Sequence, residues 1–166
     1  MIGRLDGDSW VEPHVSAFVV IEDPLRAEAV SGVREARAAG LRPVMITGDH
    51  PETAFAIAKE LQLASDDSEV MTGVELDEIG DTQLLQRIED IHVFARVRPD
   101  HKLRIVRLLQ EEGAVIAMMG DGVNDAPALK AADIGVSVGS ATEVAKEASD
   151  MVLLERAFSR ITDAIF

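Results

Sequence analysis

Residues 114–135 read AVIAMMGDGVNDAPALKAADIG and join an apolar run to a glycine-rich turn. The run AVIAMM contains no polar residue, which predicts a central parallel strand buried on both faces. The turn GDGVND follows directly, and a short helix is predicted over residues 126–132 with Pro127 in its first turn. Because ligands of parallel sheets bind beyond the carboxyl ends of the strands, this order predicts a ligand-binding loop.

The turn carries two carboxylates, Asp121 and Asp125, four residues apart. Such a pair suits Mg²⁺, which takes one or two protein carboxylates and completes its octahedron with water and phosphate oxygens. The spacing of a calcium-binding loop does not fit, since Val123 stands where a third oxygen ligand is needed. The alternative is structural, a glycine turn followed by an Asp N-cap. The strand before the turn and the helix after it favour the metal site.

A second apolar run, PVMI at residues 43–46, is followed by Thr47, Gly48 and Asp49. A hydroxyl, a glycine and a helix N-terminus form a seat for phosphate, because free backbone donors point at the anion. Asp49 and Glu52 have the spacing of a capping box. The structural alternative is a tight turn in which Asp49 is only the N-cap.

Lys102 lies in the first turn of a helix that Pro99 opens and that ends before Gly113. A cation is disfavoured there by about 0.3–1 kcal/mol, so this lysine is a candidate ligand for an anion. A solvated surface lysine is the alternative interpretation. We expect the neighbouring His101 to be an exposed first-turn residue and not a ligand.

The rest of the chain alternates apolar runs with helical patterns. This order predicts an α/β fold, a Rossmann-like parallel sheet with helices on both faces. Residues 64–91 break the rhythm with two short helical patterns, and we interpret them as an insertion within the same domain. Ser140 and Glu143 have capping-box spacing before a helix that ends near Ser149. Further predictions are strands over 15–21, 91–95, 134–138 and 151–154, an N-cap at Asp23 and a last helix over 158–165.

Composition excludes several classes of function. The 166 residues contain no cysteine, which rules out disulfides and cysteine-ligated metals. Acidic residues outnumber basic ones by 30 to 16 and aromatic residues are scarce, so we expect no nucleic-acid partner. No apolar run approaches the roughly 18 residues of a membrane span, and residues 1–10 lack the core of a signal peptide. We therefore expect a cytoplasmic chain without direct membrane insertion.

Four segments together resemble the phosphorylation domain of P-type cation-transporting ATPases, which has a haloacid dehalogenase-like fold. The resemblance runs from Phe18 to Ile165 and is nearer to the calcium-pump branch than to the copper pumps. It implies a haloacid dehalogenase-like domain over residues 15–166, with residues 1–14 as an N-terminal tail. The four segments are residues 21–26 (IEDPLR), 45–49 (MITGD), 94–102 (FARVRPDHK) and 120–135 (GDGVNDAPALKAADIG).

The resemblance implies roles in Mg²⁺-dependent phosphoryl transfer, a reaction that consists mainly of positioning and charge neutralisation. Thr47 would bind the phosphoryl group, Lys102 would neutralise its oxygens, and Asp121 would ligate Mg²⁺. The other matching positions are Gly48 and Asp49 in the phosphate turn, Asn124 and Asp125 as support for phosphate and metal, and Asp23, Arg26 and Arg96 near the hinge and the bound nucleotide.

One motif of this family does not occur in these 166 residues, the Asp-Lys-Thr-Gly-Thr sequence whose aspartate is phosphorylated. In the intact pump this motif ends the central strand of the sheet. Asp23 ends the first apolar strand, but Leu25 takes the place where the superfamily needs a hydroxyl or a carboxylic acid. We therefore expect an open position in the sheet, filled by residues 15–21 or by strand exchange in a homodimer.

The sequence thus indicates a catalytic-domain piece of a P-type cation ATPase, excised or naturally truncated and incomplete as a catalyst by itself. The intact pump would use ATP and Mg²⁺, and its nucleotide-binding, actuator and membrane domains would be the partners of this one. Its ion ligands would lie in membrane helices, and this domain on the cytoplasmic side. The alternatives are a soluble haloacid dehalogenase-like phosphatase and a non-catalytic regulatory module that binds phosphate and Mg²⁺.

Overall fold

The computed structural model of the chain describes residues 5–6, 9–10, 25 and 27–154. Within these residues no helix is both long and apolar enough to cross a lipid bilayer. Several predictions lie outside the described residues, namely the strand over 15–21, the N-cap at Asp23, the nucleotide-side residue Arg26 and the helix over 158–165.

The first half of the described chain builds a parallel sheet of three strands. Its elements are β1 (Leu5–Asp6) and β2 (Ser9–Trp10), which pair antiparallel, then α1 (Ala27–Ala38), β3 (Met45–Ile46), α2 (Pro51–Glu60), a 3₁₀ turn (Asp67–Glu69), β4 (Val70–Thr72), α3 (Gly73–Glu78), α4 (Asp81–Arg87) and β5 (Val93–Ala95). The strand order in the parallel sheet is β3–β5–β4. Ile46 pairs with Phe94 and Thr72 pairs with Ala95, so the three carboxyl ends lie side by side.

Side chains alternate between the two faces of β5, as they must in a strand. Val93 and Ala95 pack with Val33 of α1 and with small residues of α2 on one face. Phe94 points to the opposite face, where it packs with residues of α3, α4 and the helix that begins at Pro99. The predicted arrangement, a parallel sheet with helices on both faces, is therefore confirmed for this part of the chain.

The second half builds another parallel sheet. Its elements are α5 (Pro99–Glu111), β6 (Ala117–Met119), a 3₁₀ turn (Val123–Asp125), α6 (Ala126–Ala131), β7 (Ile134–Val138), α7 (Glu143–Glu147) and β8 (Met151–Leu153). The strand order is β6–β7–β8. Helix α5 joins the two sheets, because its Ile105 packs in the core of the first sheet while its neighbour Val106 packs with Met118 of the second.

The prediction that β6 is buried on both faces is wrong for the described residues. Of its three residues only Met118 is buried, and the preceding Val115 is 80% exposed. The reason is strand pairing: β6 pairs with β7 on one side, and no other described strand pairs with it. Strand β3 is likewise the outer strand of its own sheet, paired only with β5 among the described strands.

Two local predictions also need correction. Strand β4 was not predicted, since three residues inside an acidic segment give too short a pattern. The capping box of Ser140 and Glu143 is wrong, because α7 begins at Glu143 and its N-cap is therefore Thr142. The hydroxyl of Thr142 accepts a hydrogen bond from the backbone N–H of Ala145 at 3.3 Å.

Candidate functional site

Loops from both sheets lie at the carboxyl ends of the strands and contain most of the predicted site residues. The loops after β3 and β5 are held together by their backbones. The N–H of Val97 donates to the carbonyl of Thr47 at 3.1 Å, and the N–H of Arg96 donates to that of Asp49 at 3.0 Å. Arg96 adopts a left-handed backbone with φ of 54°, which a residue with a side chain tolerates only where its surroundings enforce it. Arg96 is exposed, and its backbone holds the turn of residues 47–49.

The turn of residues 47–49, predicted to bind phosphate, is closed by its own side chains. The hydroxyl of Thr47 donates to Oδ2 of Asp49 at 2.8 Å and accepts from the N–H of Asp49 at 3.1 Å. The prediction that Asp49 caps the next helix is wrong, because α2 begins at Pro51 and His50 is its N-cap. Nδ1 of His50 accepts from the N–H of Glu52 at 3.4 Å. Asp49 instead fixes the rotamer of the predicted phosphate ligand Thr47.

Lys102 and Asp125 form an ion pair that joins α5 to the GDGVND turn. Nζ of Lys102 donates to Oδ1 of Asp125 at 2.6 Å, and both side chains are largely buried. Oδ2 of Asp125 accepts from the N–H of Gly122 at 3.1 Å. This carboxylate offsets the unfavourable position of a cation in the first turn of α5.

Gly120 makes room for this carboxylate. A Cβ atom at position 120 would lie 2.5 Å from Cβ of Asp125 and 2.9 Å from its Oδ2. A side chain at position 120 would therefore displace Asp125 from Lys102. The glycine that the sequence marks as part of a turn is required for a specific close approach.

Asp121 and Asn124 are exposed on the same turn. The carbonyl of Asp121 accepts from the N–H of Thr142 at 3.0 Å, which ties the turn to the start of α7. Among the described residues no three His, Cys, Asp or Glu side chains gather as a metal cage.

His101 is buried, so the prediction of an exposed first-turn residue is wrong. Its side chain is 3% exposed, and its Nε2 lies 2.9 Å from Oδ1 of Asp77 in α3. Its Nδ1 accepts from the N–H of Arg98 at 3.3 Å. Because Nδ1 accepts, we assign the ring proton to Nε2, from which it is donated to Asp77. The sequence does contain a signal for this inward orientation. His101 is the third residue of a helix that begins with proline, and a side chain at that position can accept a hydrogen bond from the backbone N–H of the N-cap.

The guanidinium of Arg98 donates to both oxygens of Asp77, at 2.8 and 2.9 Å. The hydrogen bonds from Arg98 and then His101 hold the pKa of Asp77 well below its usual range. The same guanidinium also contacts Asp100 and lowers the pKa of that carboxyl. Sequence reasoning missed Asp77, because its partners lie more than twenty residues away along the chain.

The structure thus brings the predicted residues together in two groups. Thr47, Asp49 and Arg96 belong to one group, and Lys102 and Asp125 to the other. Within the part of the chain that the structure describes, no hydrogen bond joins Thr47 to Lys102. Gly48 and Asn124 lie exposed in the two turns.

Family models give the class of protein. A model of haloacid dehalogenase-like hydrolases matches residues 2–133, and a second model with the same description matches residues 103–165. The first match covers well over half of the chain. The chain therefore belongs to the haloacid dehalogenase-like hydrolase family.

Curated relatives indicate which kind of protein within this family the chain resembles. Calcium-transporting ATPase 1 of Bacillus cereus is 54% identical over 144 residues, and the calcium-transporting ATPase of Bacillus subtilis is 53% identical over 146 residues. These alignments cover 86% and 87% of this chain but only 16% of each relative. The resemblance to the phosphorylation domain of P-type cation ATPases, on the calcium-pump side, is confirmed.

A solved structure agrees with this assignment. The crystal structure of a zinc-transporting PIB-type ATPase matches with a TM-score of 0.66 and 34% identity. The match covers 87% of this chain and 19% of that one. The fold of the two parallel sheets is thus found inside a much longer P-type ATPase.

Proposed function

We propose that this chain is the phosphorylation-domain part of a P-type cation pump. In the intact pump it would take part in Mg²⁺-dependent transfer of phosphate from ATP to an aspartate, coupled to cation transport. The observation that carries the proposal is the ion pair of Lys102 and Asp125 at 2.6 Å, held on the turn that also bears Asp121. A cation fixed to a turn that also bears an exposed carboxylate suits a reaction that depends on charge neutralisation.

Each predicted residue has a role in this proposal. Thr47 would donate its hydroxyl to a phosphoryl oxygen in place of Asp49, and the backbone N–H of Gly48 would add a donor. Lys102 would neutralise the phosphoryl oxygens while Asp125 keeps its ammonium aimed. Mg²⁺, when bound at Asp121, supplies further charge neutralisation. The other assigned positions are Asn124 beside the metal and Asp23, Arg26 and Arg96 near the hinge and the nucleotide.

The remaining parts of the reaction would come from outside these residues. The chain spans about a sixth of the length of the curated relatives it matches, since the alignments cover 16% of each. A strand that carries Asp-Lys-Thr-Gly-Thr would pair with β3, β6 or both, because each is the outer strand of its described sheet. The partners would be the nucleotide-binding, actuator and membrane domains, with this domain on the cytoplasmic side of the membrane.

The test is complementation with the missing motif. The chain is mixed with a pump fragment that holds the Asp-Lys-Thr-Gly-Thr strand and the nucleotide-binding domain, and binding is confirmed by sedimentation. With γ-labelled ATP and Mg²⁺ we expect an acid-stable label on the fragment. The label should disappear when the motif's aspartate is replaced by asparagine and in Lys102→Met. It should persist in Lys59→Met, a control lysine exposed on α2. Confirmed binding without label would overturn the proposal.

A second assay separates this function from a self-sufficient phosphatase. The chain alone is incubated with Mg²⁺ and a chromogenic phosphate ester. The proposal predicts no turnover, since the nucleophile motif is absent from these residues. Turnover that is abolished in Asp121→Ala would instead indicate a soluble phosphatase that uses another aspartate.

A further inference from the structure

Helix α3 packs directly on the start of α5, the helix that carries Lys102. A Cβ atom at Gly73 would lie 2.3 Å from the carbonyl oxygen of Arg96 and 3.2 Å from Nδ1 of His101. Such an approach is possible only for glycine. The first residue of α3 therefore touches both the loop that follows β5 and the first turn of α5.

Asp77 extends this contact from the last turn of α3. Its Oδ1 lies 2.9 Å from Nε2 of His101, and the guanidinium of Arg98 holds both of its oxygens. Arg98 is the N-cap of α5 and His101 is its third residue. One carboxylate from α3 thus holds two positions in the first turn of α5.

His101 can transmit this constraint because both of its ring nitrogens have partners. Nδ1 accepts from the backbone of Arg98, and Nε2 donates to Asp77. A buried polar group that loses its partner costs more than the net value of the bond, so this orientation of the ring is strongly favoured. Lys102 is the next residue, and its N–H donates to the carbonyl of Arg98 at 3.2 Å. His101 and Lys102 are thus adjacent residues that are both hydrogen-bonded to the backbone of Arg98.

We propose that Asp77 and His101 are positioning residues, which hold the ammonium of Lys102 against the carboxylate of Asp125. Neither residue is a catalytic residue, since both act through the backbone of α5. The geometric part of the proposal stands on contacts within this chain. Its catalytic consequence rests on the proposed function.

The same interface contains a matched control. Arg104, two residues beyond Lys102, donates to Oδ1 of Asp81 at 2.8 Å and to the carbonyl of Ile79 at 2.8 Å. This contact also docks α5 on the α3–α4 segment, but it does not involve the first turn of α5. Removing the Asp81 carboxylate should weaken the docking without moving Lys102.

The test follows the ammonium of Lys102 by NMR. Its ¹H–¹⁵N signal is assigned by its loss in Lys102→Arg, and its hydrogen exchange is measured in the 166-residue chain. In Asp77→Ala we expect exchange to be about five- to tenfold faster, the factor that corresponds to one lost hydrogen bond. In Asp77→Asn exchange should stay near the original rate, because the amide oxygen can still accept from Nε2. Asp81→Ala should also leave the rate unchanged.

The ¹⁵N shifts of His101 give an independent readout. We expect the Nε2–H tautomer in the original chain and in Asp77→Asn, and a mixture of tautomers in Asp77→Ala. Unchanged exchange at Lys102 in Asp77→Ala would overturn the proposal. Equal acceleration in Asp81→Ala would also overturn it, since the effect would then reflect general loosening of the interface.

The complementation assay tests the catalytic consequence. In Asp77→Ala the rate of label formation should fall while the ATP concentration for half-maximal rate stays the same, and Asp77→Asn should restore the rate. If the original chain supports no labelling, the proposed function fails. The exchange and tautomer measurements then still decide whether Asp77 and His101 position Lys102.

Discussion

The β3–β5–β4 sheet and the β6–β7–β8 sheet share a parallel topology but pack with different side chains. One face of the first sheet packs in a cluster of large residues, of which Phe94, Met71 and Leu84 are fully buried. The helices on the second contribute mostly alanine, as at Ala128 and Ala145. Because the free energy of burial scales with apolar area, the first sheet should contribute more to the stability of the fold.

The second sheet uses small residues for close approach of backbones. A Cβ atom at Gly135 would lie 2.7 Å from the carbonyl oxygen of Leu129, so β7 and α6 pack almost backbone to backbone. Gly120 instead makes room for a side chain, that of Asp125. The comparison indicates that stability lies mainly in the first sheet, while the geometry of the GDGVND turn depends on the second.

The largest expected effect tests this division directly. Phe94→Ala should lower the free energy of unfolding by about 3–5 kcal/mol, the usual cost of removing a buried aromatic ring. Val136→Ala, in the middle strand of the second sheet, should cost about 1–3 kcal/mol because a smaller side chain is lost. Urea unfolding followed by circular dichroism measures both. Equal losses at the two positions would contradict the division.

The next largest loss of stability is expected when a glycine is replaced by alanine in either half of the chain. Gly73→Ala and Gly120→Ala should each destabilise by about 1–3 kcal/mol, since the new methyl group must displace its neighbours. Gly48→Ala is the control, because no described atom beyond its two chain neighbours lies within 4 Å of its Cβ position. Gly48→Ala should be near neutral in thermal unfolding. A neutral Gly120→Ala would show that Asp125 is not held as tightly as the structure indicates.

The outer edge of β6 gives a prediction about association. No other described strand pairs with this edge, and a free strand edge is a site of self-association, so sedimentation should show oligomers that increase with concentration. Val115 is 80% exposed next to this edge, and Val115→Lys should shift the population towards monomer without loss of thermal stability.

If the chain stays monomeric at all concentrations, strand exchange is excluded, and the remaining prediction is that residues 15–21 fill the open position in the sheet. In that case the backbone amides of residues 15–21 should be protected from hydrogen exchange. A monomer without such protection would contradict both forms of the prediction.

The sequence predicted helices and strands well where the residues that start, end or pattern an element lie within that element or next to it. Helix α5 begins at Pro99, and Gly113, just beyond its end, has a left-handed φ of 86°. The strand predicted over 134–138 matches β7, since four of its five residues are apolar or glycine. In such cases turn chemistry and hydrophobic pattern act within a few residues.

The failures have causes that lie further along the chain. The burial of His101 depends on Asp77, 24 residues away, and no periodic pattern reports that contact. The exposure of β6 depends on which strand pairs with its second edge. The helix starts at His50 and Thr142 differ from the predicted caps because several neighbouring polar residues could serve as N-cap.

The smallest expected change in the free energy of unfolding concerns one carboxylate from each half of the chain, Asp77 and Asp133. Hydrogen bonds from Arg98 and then His101 hold the pKa of Asp77 below its usual 3.8. The backbone N–H of Ile116 and then the side chain of Gln110 lower the pKa of Asp133. As the pH falls, the unfolded chain, in which these carboxyls have the ordinary pKa of 3.8, is protonated before the folded chain. Each carboxylate therefore stabilises the fold above pH 3.8, and this contribution is lost as the pH falls below that value.

Unfolding free energies measured as the pH is lowered from neutral should therefore fall less steeply in Asp77→Asn and in Asp133→Asn than in the original chain. High salt should distinguish the Asp77→Asn variant from the Asp133→Asn variant. The partner of Asp77 includes a charged guanidinium at an exposed site, so about 1 M NaCl, with a Debye length of about 3 Å, should shrink the Asp77 difference. The partners of Asp133 are uncharged, so its difference should persist. If both differences respond equally to salt, Asp77 is not held mainly by Arg98, and the ion pair that ties α3 to α5 is weaker than its distances imply.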